Sequence, residues 1–512
     1  MRKSSLLYMV LLTAVALTAQ EVGFDDFIRQ NNIFASDEEE SVDSDEGFAL
    51  GTTTPLSVAI SGEAAAGITV YVDDLTSADK MKQIMLGDIF SGRLNFSAKA
   101  SNVDAFINLK LTPTSDGLSS LIAFDEAYVR GYFGSLSVEA GLRKLAWGKA
   151  IMPGPLDVIN PLDYTDLLDI TSLQNRKIAT PMIHLSYSLG IFSEIEAVFV
   201  PSFTPQKFAQ SGGWAPSQLT ALPGAMKTGA IEYLIGAMPS DLSDTAAELA
   251  AAFTGMATPS YTESFAELPT EWLKYMQAGL RFTTTVSSAD LGIQGYFGRL
   301  PRPAVILNGL ADFWDKFAAA EEDEAARQGV INSIAPVVDY NYFAQLGVDY
   351  AQVLWGFNTR AELAFNLTKD LKGDDGAVYN PFIGWSLGVD RDITVKEFLL
   401  FNVNLQATEN LRLFGDKINS NPALDAEAGT NDTSTRITLI ASRKFFRDEF
   451  EVNFTGLWGI EDMDFYLIPG IAWTKENLVV RLYGGIFTGD SDGELGQYHK
   501  NNFIRMTMTY TF

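Results

Sequence analysis

Gly384-Trp385-Ser386-Leu387-Gly388 has the G-x-S-x-G spacing of a hydrolase nucleophile. That chemistry needs a sharp strand-to-helix turn presenting the serine, with a histidine and an acid in reach. Here Gly384, Ser386 and Gly388 share one parity of an unbroken strand pattern, and Trp385 and Leu387 share the other. Small residues facing the inside of a sheet explain that pattern, so no catalytic residue is expected. The chain has two histidines, His184 and His499, and no cysteine. Thiol catalysis, disulfide frameworks and Cys-based zinc sites are therefore excluded. Asp490-Ser491-Asp492-Gly493-Glu494 and Asp374-Asp375-Gly376 match fragments of calcium-binding loops, but neither completes the full loop pattern. No metal and no cofactor is expected.

The remaining chemistry is electrostatic. Arg93, Lys99, Lys110, Glu126, Arg130, Arg143, Arg281, Arg360, Glu362 and Arg505 all fall on the polar parity of alternating segments. In Phe90–Ala98 and Val103–Leu111, for example, apolar residues occupy every second position. Successive strand side chains point to opposite faces, so each such strand has one oily and one polar face. Eighteen segments of this kind can be counted from 56 to 512, many of ten residues or more. A tilted strand needs about 9–11 residues to cross a bilayer. The connections alternate between long and short along the chain, as in transmembrane barrels. The fold expected is all-β: one large transmembrane antiparallel β-barrel of about 18 strands, with 16 as the alternative, and long, partly helical external loops. Loops 202–273 and 299–338 carry the helical signals: a Thr245-x-x-Glu248 capping box, and a run over 310–328 ending at Gly329.

Arg2 and Lys3 precede an apolar run from Leu6 to Leu17 and then small residues, which reads as a secretory signal peptide over 1–19. An acidic, unstructured segment is expected over 20–52 and the barrel over 53–512. Residues 20–50 hold ten acids and one base. The whole chain has 37 Lys+Arg against 64 Asp+Glu, a formal net charge of −27, yet is 47% hydrophobic. So acidic a chain is no partner for nucleic acid, where phosphate contacts need clustered bases. Outer-membrane lipid and a small solute are the expected partners; oligomeric state stays open.

The most distinctive stretch runs from Arg143-Lys144-Leu145-Ala146-Trp147-Gly148-Lys149 to Asp157-Val158-Ile159-Asn160-Pro161-Leu162-Asp163. It ends the fifth strand, expected over 136–147, and opens the third external loop, 148–179. Trp147, Asp157, Asn160, Asp163, Asp166 and Asp169 are the candidate constriction residues. Folded inward, the acids would face the basic wall and set a transverse field. Alternatively, the loop caps the rim. Pro153, Pro155 and Pro161 stiffen it by fixing φ.

The Arg…Trp-Gly…Asp-Val-Ile-Asn-Pro-x-Asp pattern, with Asp125-Glu126-Ala127-Tyr128-Val129 before it and Pro201-x-Phe203-x-Pro205 after it, resembles a family of Gram-negative outer-membrane, porin-like proteins catalogued as a domain of unknown function. The resemblance covers roughly 120–205. It implies a porin-like barrel and suggests movement of hydrophobic or lipid-like compounds. The C-terminal Tyr510-Thr511-Phe512, on an alternating strand, resembles the signal read by the barrel-assembly machinery. The reading is a passive outer-membrane channel for small solutes, with 148–179 as its constriction. Competing readings are a transporter of lipid-like or hydrophobic compounds and a surface adhesin or structural barrel.

Overall fold

The computed structural model describes residues 56–72, 90–111, 122–170, 173–240, 273–310, 312–320, 323–395, 398–414 and 423–512. The signal segment, the acidic segment and the Thr245 capping box lie outside the described residues.

Eighteen strands form one closed antiparallel sheet. In chain order they are β1 (Ser57–Tyr71), β2 (Phe90–Ala100), β3 (Val103–Leu111), β4 (Ile122–Phe133), β5 (Leu136–Arg143), β6 (Thr180–Ser188), β7 (Ser193–Val200), β8 (Gln277–Val286) and β9 (Ala289–Arg299). They continue as β10 (Tyr342–Leu354), β11 (Phe357–Thr368), β12 (Phe382–Val395), β13 (Phe398–Arg412), β14 (Thr433–Phe445), β15 (Phe450–Gly459), β16 (Asp464–Lys475), β17 (Leu478–Thr488) and β18 (Phe503–Thr511). Each strand pairs with its neighbours in sequence, and β18 closes on β1 in a register from Tyr71 opposite Phe503 to Glu63 opposite Thr511. Phe512 and Gly62 exchange backbone hydrogen bonds of 2.9 and 2.8 Å just beyond that ladder. The expected strand count is met. The fifth strand ends at Arg143, four residues earlier than its alternation suggested, because the chain turns inward there.

Burial along the strands is the inverse of a water-soluble protein. On β10 and β11, Leu346, Val348, Leu363, Phe365 and Leu367 are exposed while Gln345, Asp349, Glu362 and Asn366 are buried. The same parity runs through β18, where Ile504, Met506, Met508 and Tyr510 face out. An apolar band of this extent has no stable place in water, whereas a closed ladder leaves lipid no unpaired backbone. The barrel is therefore transmembrane.

Long connections cluster at one end. Three of them build a cap with its own core. A helix, α1 (Ser217–Gly236), packs Met226, Ala230 and Leu234 against Val305, Leu307, Phe313, Phe317 and Ile331. Two further helices, α2 (Phe313–Ala319) and α3 (Glu324–Asn332), replace the single helix expected over 310–328, and α3 runs past Gly329. The second of them starts after Asp323, whose side chain caps α3 by accepting from Ala325 N and Ala326 N at 3.0 and 3.2 Å. A two-stranded antiparallel ribbon, Ala304–Asn308 with Ala335–Asp339, brackets α2 and α3.

An outward apolar site predicts a sharp test of environment. Leu363→Arg, on the lipid face between Val348 and Trp385, should cost about 2–4 kcal/mol near the bilayer midplane. Reversible urea unfolding of barrel folded in vesicles checks it. An unchanged midpoint would show that this face does not meet lipid.

Candidate functional site: an inward loop on a charged barrel wall

The third long connection, 144–179, enters the barrel. Its first half lies on the inner faces of β9–β13. Lys149 N and Ala150 N donate to Glu362 Oε1 on β11, the second at 2.7 Å. Ile151 N and Met152 N donate to Gln406 Oε1 on β13 at 2.9 and 3.1 Å. Gln345 Nε2 on β10 donates to Pro155 O, and Gln294 Nε2 on β9 to Leu156 O, both at 2.9 Å. The loop's far part meets the other side of the barrel: Leu167, Leu168 and Ile170 pack with Tyr466, Phe487 and Phe503 of β16–β18. A segment touching inward side chains on walls so far apart in the closed sheet can only cross the interior.

Its neck is held by Asn160. The side chain accepts from Leu145 N at 2.7 Å and donates to Arg143 O and Ile178 O, each at 2.9 Å. Both limbs of the loop are thus tied through one amide. Trp147 is buried on Met182, Val198 and Tyr296. Asp157 pairs with Lys177 at 2.7 Å. Burial pushes the Asp157 carboxyl above the usual carboxylate range, against the pull of Lys177. Arg176 donates to Asp163 O and Asp166 O at 2.5 Å and to Asp169 O at 3.0 Å, gathering the acidic turn around one guanidinium. Asp163 Oδ1 accepts from Thr165 N, and Asp166 Oδ1 from Leu168 N. Burial pushes the neighbouring Tyr164 phenol up to about 12; its ring stacks on Phe208 at 5.7 Å. The carboxylates of Asp157, Asp163 and Asp166 thus make their contacts within the loop, and among the described residues none forms an ion pair with the barrel wall.

The wall is an alternating chain of charges. Lys99, Asp104, Arg130, Glu139 and His184 stand directly opposite one another across β2–β6. His184 bridges Glu139 at 3.3 Å and Glu196 of β7 at 3.2 Å; an imidazolium donates from both ring nitrogens. Glu196 stands opposite Arg281 of β8, and Arg281 reaches Asp349 of β10 at 2.6 Å. Asp349 then faces Glu362 directly, and the alternation breaks: like charges opposed on one face repel. Among the described residues no side-chain cation pairs with Glu362. Its counter-charge is the pair of loop amides at Lys149 and Ala150, which form a small anion-holding nest. Gly148, at φ +98°, and Gly154 flank that carboxylate, and a Cβ on either would collide with it.

The other expected wall residues are more dispersed. Arg143 pairs with Glu139 at 2.8 Å and with Glu126 at 3.6 Å. Arg93 pairs with Glu63 at 3.5 Å, and Lys110 stands opposite Arg93. Arg360 pairs with Asp390, and Arg505 donates to Thr69 Oγ1 at 2.8 Å. Sequence reasoning missed Gln345, Gln406, Arg176 and Lys177. Inward parity marks the two glutamines, but nothing local says they receive a loop. Ser386 sits on unbroken β12 opposite Glu362 and Thr408, with no turn to present it. Among the described residues no group of three or more metal-ligating side chains stands together.

No protein-family model and no curated protein matches the chain. Solved structures of similar fold include the outer membrane channel DcaP of Acinetobacter baumannii, at 9% identity over 90% of this chain and 99% of that one, with a TM-score of 0.38. Pseudomonas aeruginosa OccK9 is similar at 8% identity over 89% and 97%, with a TM-score of 0.42. Salmonella typhi OmpF in complex with daunomycin is similar at 7% identity over 89% and 97%, with a TM-score of 0.38. Likeness at this level carries no argument; the barrel rests on its own closed ladder.

If Glu362 latches the loop, Glu362→Ala should release it. Two charge-assisted hydrogen bonds are lost, each about 1.5–3 kcal/mol. Amides of 149–152 should then exchange at least about tenfold faster by hydrogen-exchange mass spectrometry. Exchange unchanged from the parent barrel would show that the latch holds nothing.

Proposed function

We propose that the chain is an outer-membrane channel for passive diffusion of small solutes, narrowed by the loop 144–179. The observation that carries this reading is the asymmetry of the interior. The wall of β9–β13 is covered by the loop, and Gln294, Gln345, Glu362 and Gln406 are buried beneath it. Among the described residues the inner face of β1–β5 is less covered: Glu63, Arg93, Asn95, Lys99, Asn108, Lys110 and Arg130 keep partial exposure. A polar, charged and partly exposed surface along one side of a closed barrel supports a water-filled path beside the loop.

Polar residues on that inner parity weigh against a route for lipid-like compounds, which calls for an apolar lining. The export signal expected over 1–19 and the C-terminal Phe512 strand support the outer membrane as its place, with the assembly machinery as the partner that inserts it.

Planar-bilayer recording tests the reading. The full barrel should conduct, and a variant lacking 150–178 should conduct more and discriminate less between ions. A folded barrel that opens no conducting path would overturn the proposal. Equal conductance in the two proteins would remove the loop as the constriction.

A further inference from the structure

Resting on the channel reading, we propose that the inner face of β3–β5 is a binding subsite for organic carboxylates, with a preference for those carrying an aromatic ring. The residues are Arg130, Arg143, Tyr128 and Phe106, with Glu139 behind them.

Two guanidiniums share one acid there. Arg130 Nε donates to Glu139 Oε1 at 2.5 Å, and Arg143 Nε to Glu139 Oε2 at 2.8 Å. Both arginines therefore hang from a single carboxylate by their inner edges. The acid is the deeper partner: the Glu139 side chain is 6% exposed, against 28% for Arg130 and 19% for Arg143. Water in the barrel thus meets the cations first. Glu126 is the second acid near Arg143, at ion-pair distance only. Its Oε1 accepts Lys144 N at 2.9 Å and stands 3.6 Å from Arg143, too long for a hydrogen bond. The terminal nitrogens of Arg143 donate no hydrogen bond among the described residues. A guanidinium fixed at one edge, with its fork free, is preorganised for a carboxylate.

An aromatic floor lies under that fork. The Arg143 guanidinium sits 4.3 Å from the Tyr128 ring centroid, and Tyr128 packs on Phe106 at 5.5 Å. Gly141 stands directly opposite Tyr128. Its φ of +144° and the nearness of Tyr128 Cα leave no room for a side chain there, so the floor stays open between Glu139 and Arg143. A solute that seats its carboxylate on Arg143 can lay a ring along Phe106 and Tyr128, which an aliphatic acid of the same charge cannot do.

The test uses the full barrel and two probes, benzoate and acetate. Benzoate should reduce chloride current in planar bilayers and bind the detergent-folded barrel by calorimetry, with acetate at least about tenfold weaker in both. Arg143→Gln should weaken benzoate at least about tenfold, both by calorimetry and in the fraction of the variant's own chloride current that benzoate blocks. Tyr128→Leu should weaken benzoate and leave acetate unchanged. Equal affinity for the two probes, or benzoate binding unmoved by Arg143→Gln, would overturn the subsite. A barrel that binds benzoate with these variant effects yet never conducts would keep the subsite and sink the channel. Conduction without benzoate binding would do the reverse.

Discussion

Everything in this structure follows from the pairing of β18 with β1. In hydrocarbon no water compensates an unpaired amide or carbonyl, so a spanning sheet must have no edge. Closing eighteen strands meets that demand and fixes two consequences. The outward parity must be apolar, because it is solvated by lipid. The inward parity must be polar, and it encloses more space than side chains alone can fill. An interior of that width needs something to occupy it, and the chain supplies its own loop between β5 and β6. That loop can enter because the strand ends at Arg143 and the neck is stapled by Asn160.

Where the loop docks is decided by charge. Around the inner wall from Lys99 to Asp349 each charge stands beside its opposite. Such an arrangement gives the loop no unpaired wall charge to dock on. Glu362 is the residue that breaks the series, being set against Asp349. A buried carboxylate without a partner is costly, and the loop's amides remove that cost. Inner-face glutamines then extend the contact along the wall. Amides suit this role, since each offers a donor and an acceptor without adding charge.

Period-two alternation made the barrel legible in sequence, because lipid on one side and a polar interior on the other enforce it strand after strand. The extra residues assigned to the fifth strand show the limit: Lys144 to Trp147 keep the alternation but serve the loop. The entry of 148–179 was readable only as one of two alternatives, since Gln345 and Gln406 lie about 200 and 250 residues away in sequence. The acids at 157, 163 and 166 were read as facing a basic wall. Lys177 pairs with Asp157 and Arg176 with Asp166, both later in the same loop, while the Asp163 carboxylate accepts from Thr165 N. Nearby opposite charges on one short segment win over distant ones because closing the shorter loop costs less entropy. The cap was half visible: a helical run before Gly329 was legible, whereas α1, with Pro223 and Gly224 inside it, has poor helix propensity and forms because Leu234 and Met226 have a core to fill.

The stretch whose pattern resembles that of a porin-like family acquires a physical meaning from these contacts. Asp125 holds Lys144, Glu126 holds the Lys144 amide, Trp147 fills the wall beside Tyr296, Asp157 pairs with Lys177 and Asn160 ties the neck. Phe203 packs on Tyr340, joining the next loop to the same rim at 4.7 Å. Each of these residues fixes where the loop lies rather than what passes it. In the channel proposed above, these residues set where the loop narrows the barrel, and the chemistry of the opposite side does not depend on them. The determinants of what such a barrel admits are then to be sought on the wall that the loop covers less, from β1 to β5, and not in the loop itself.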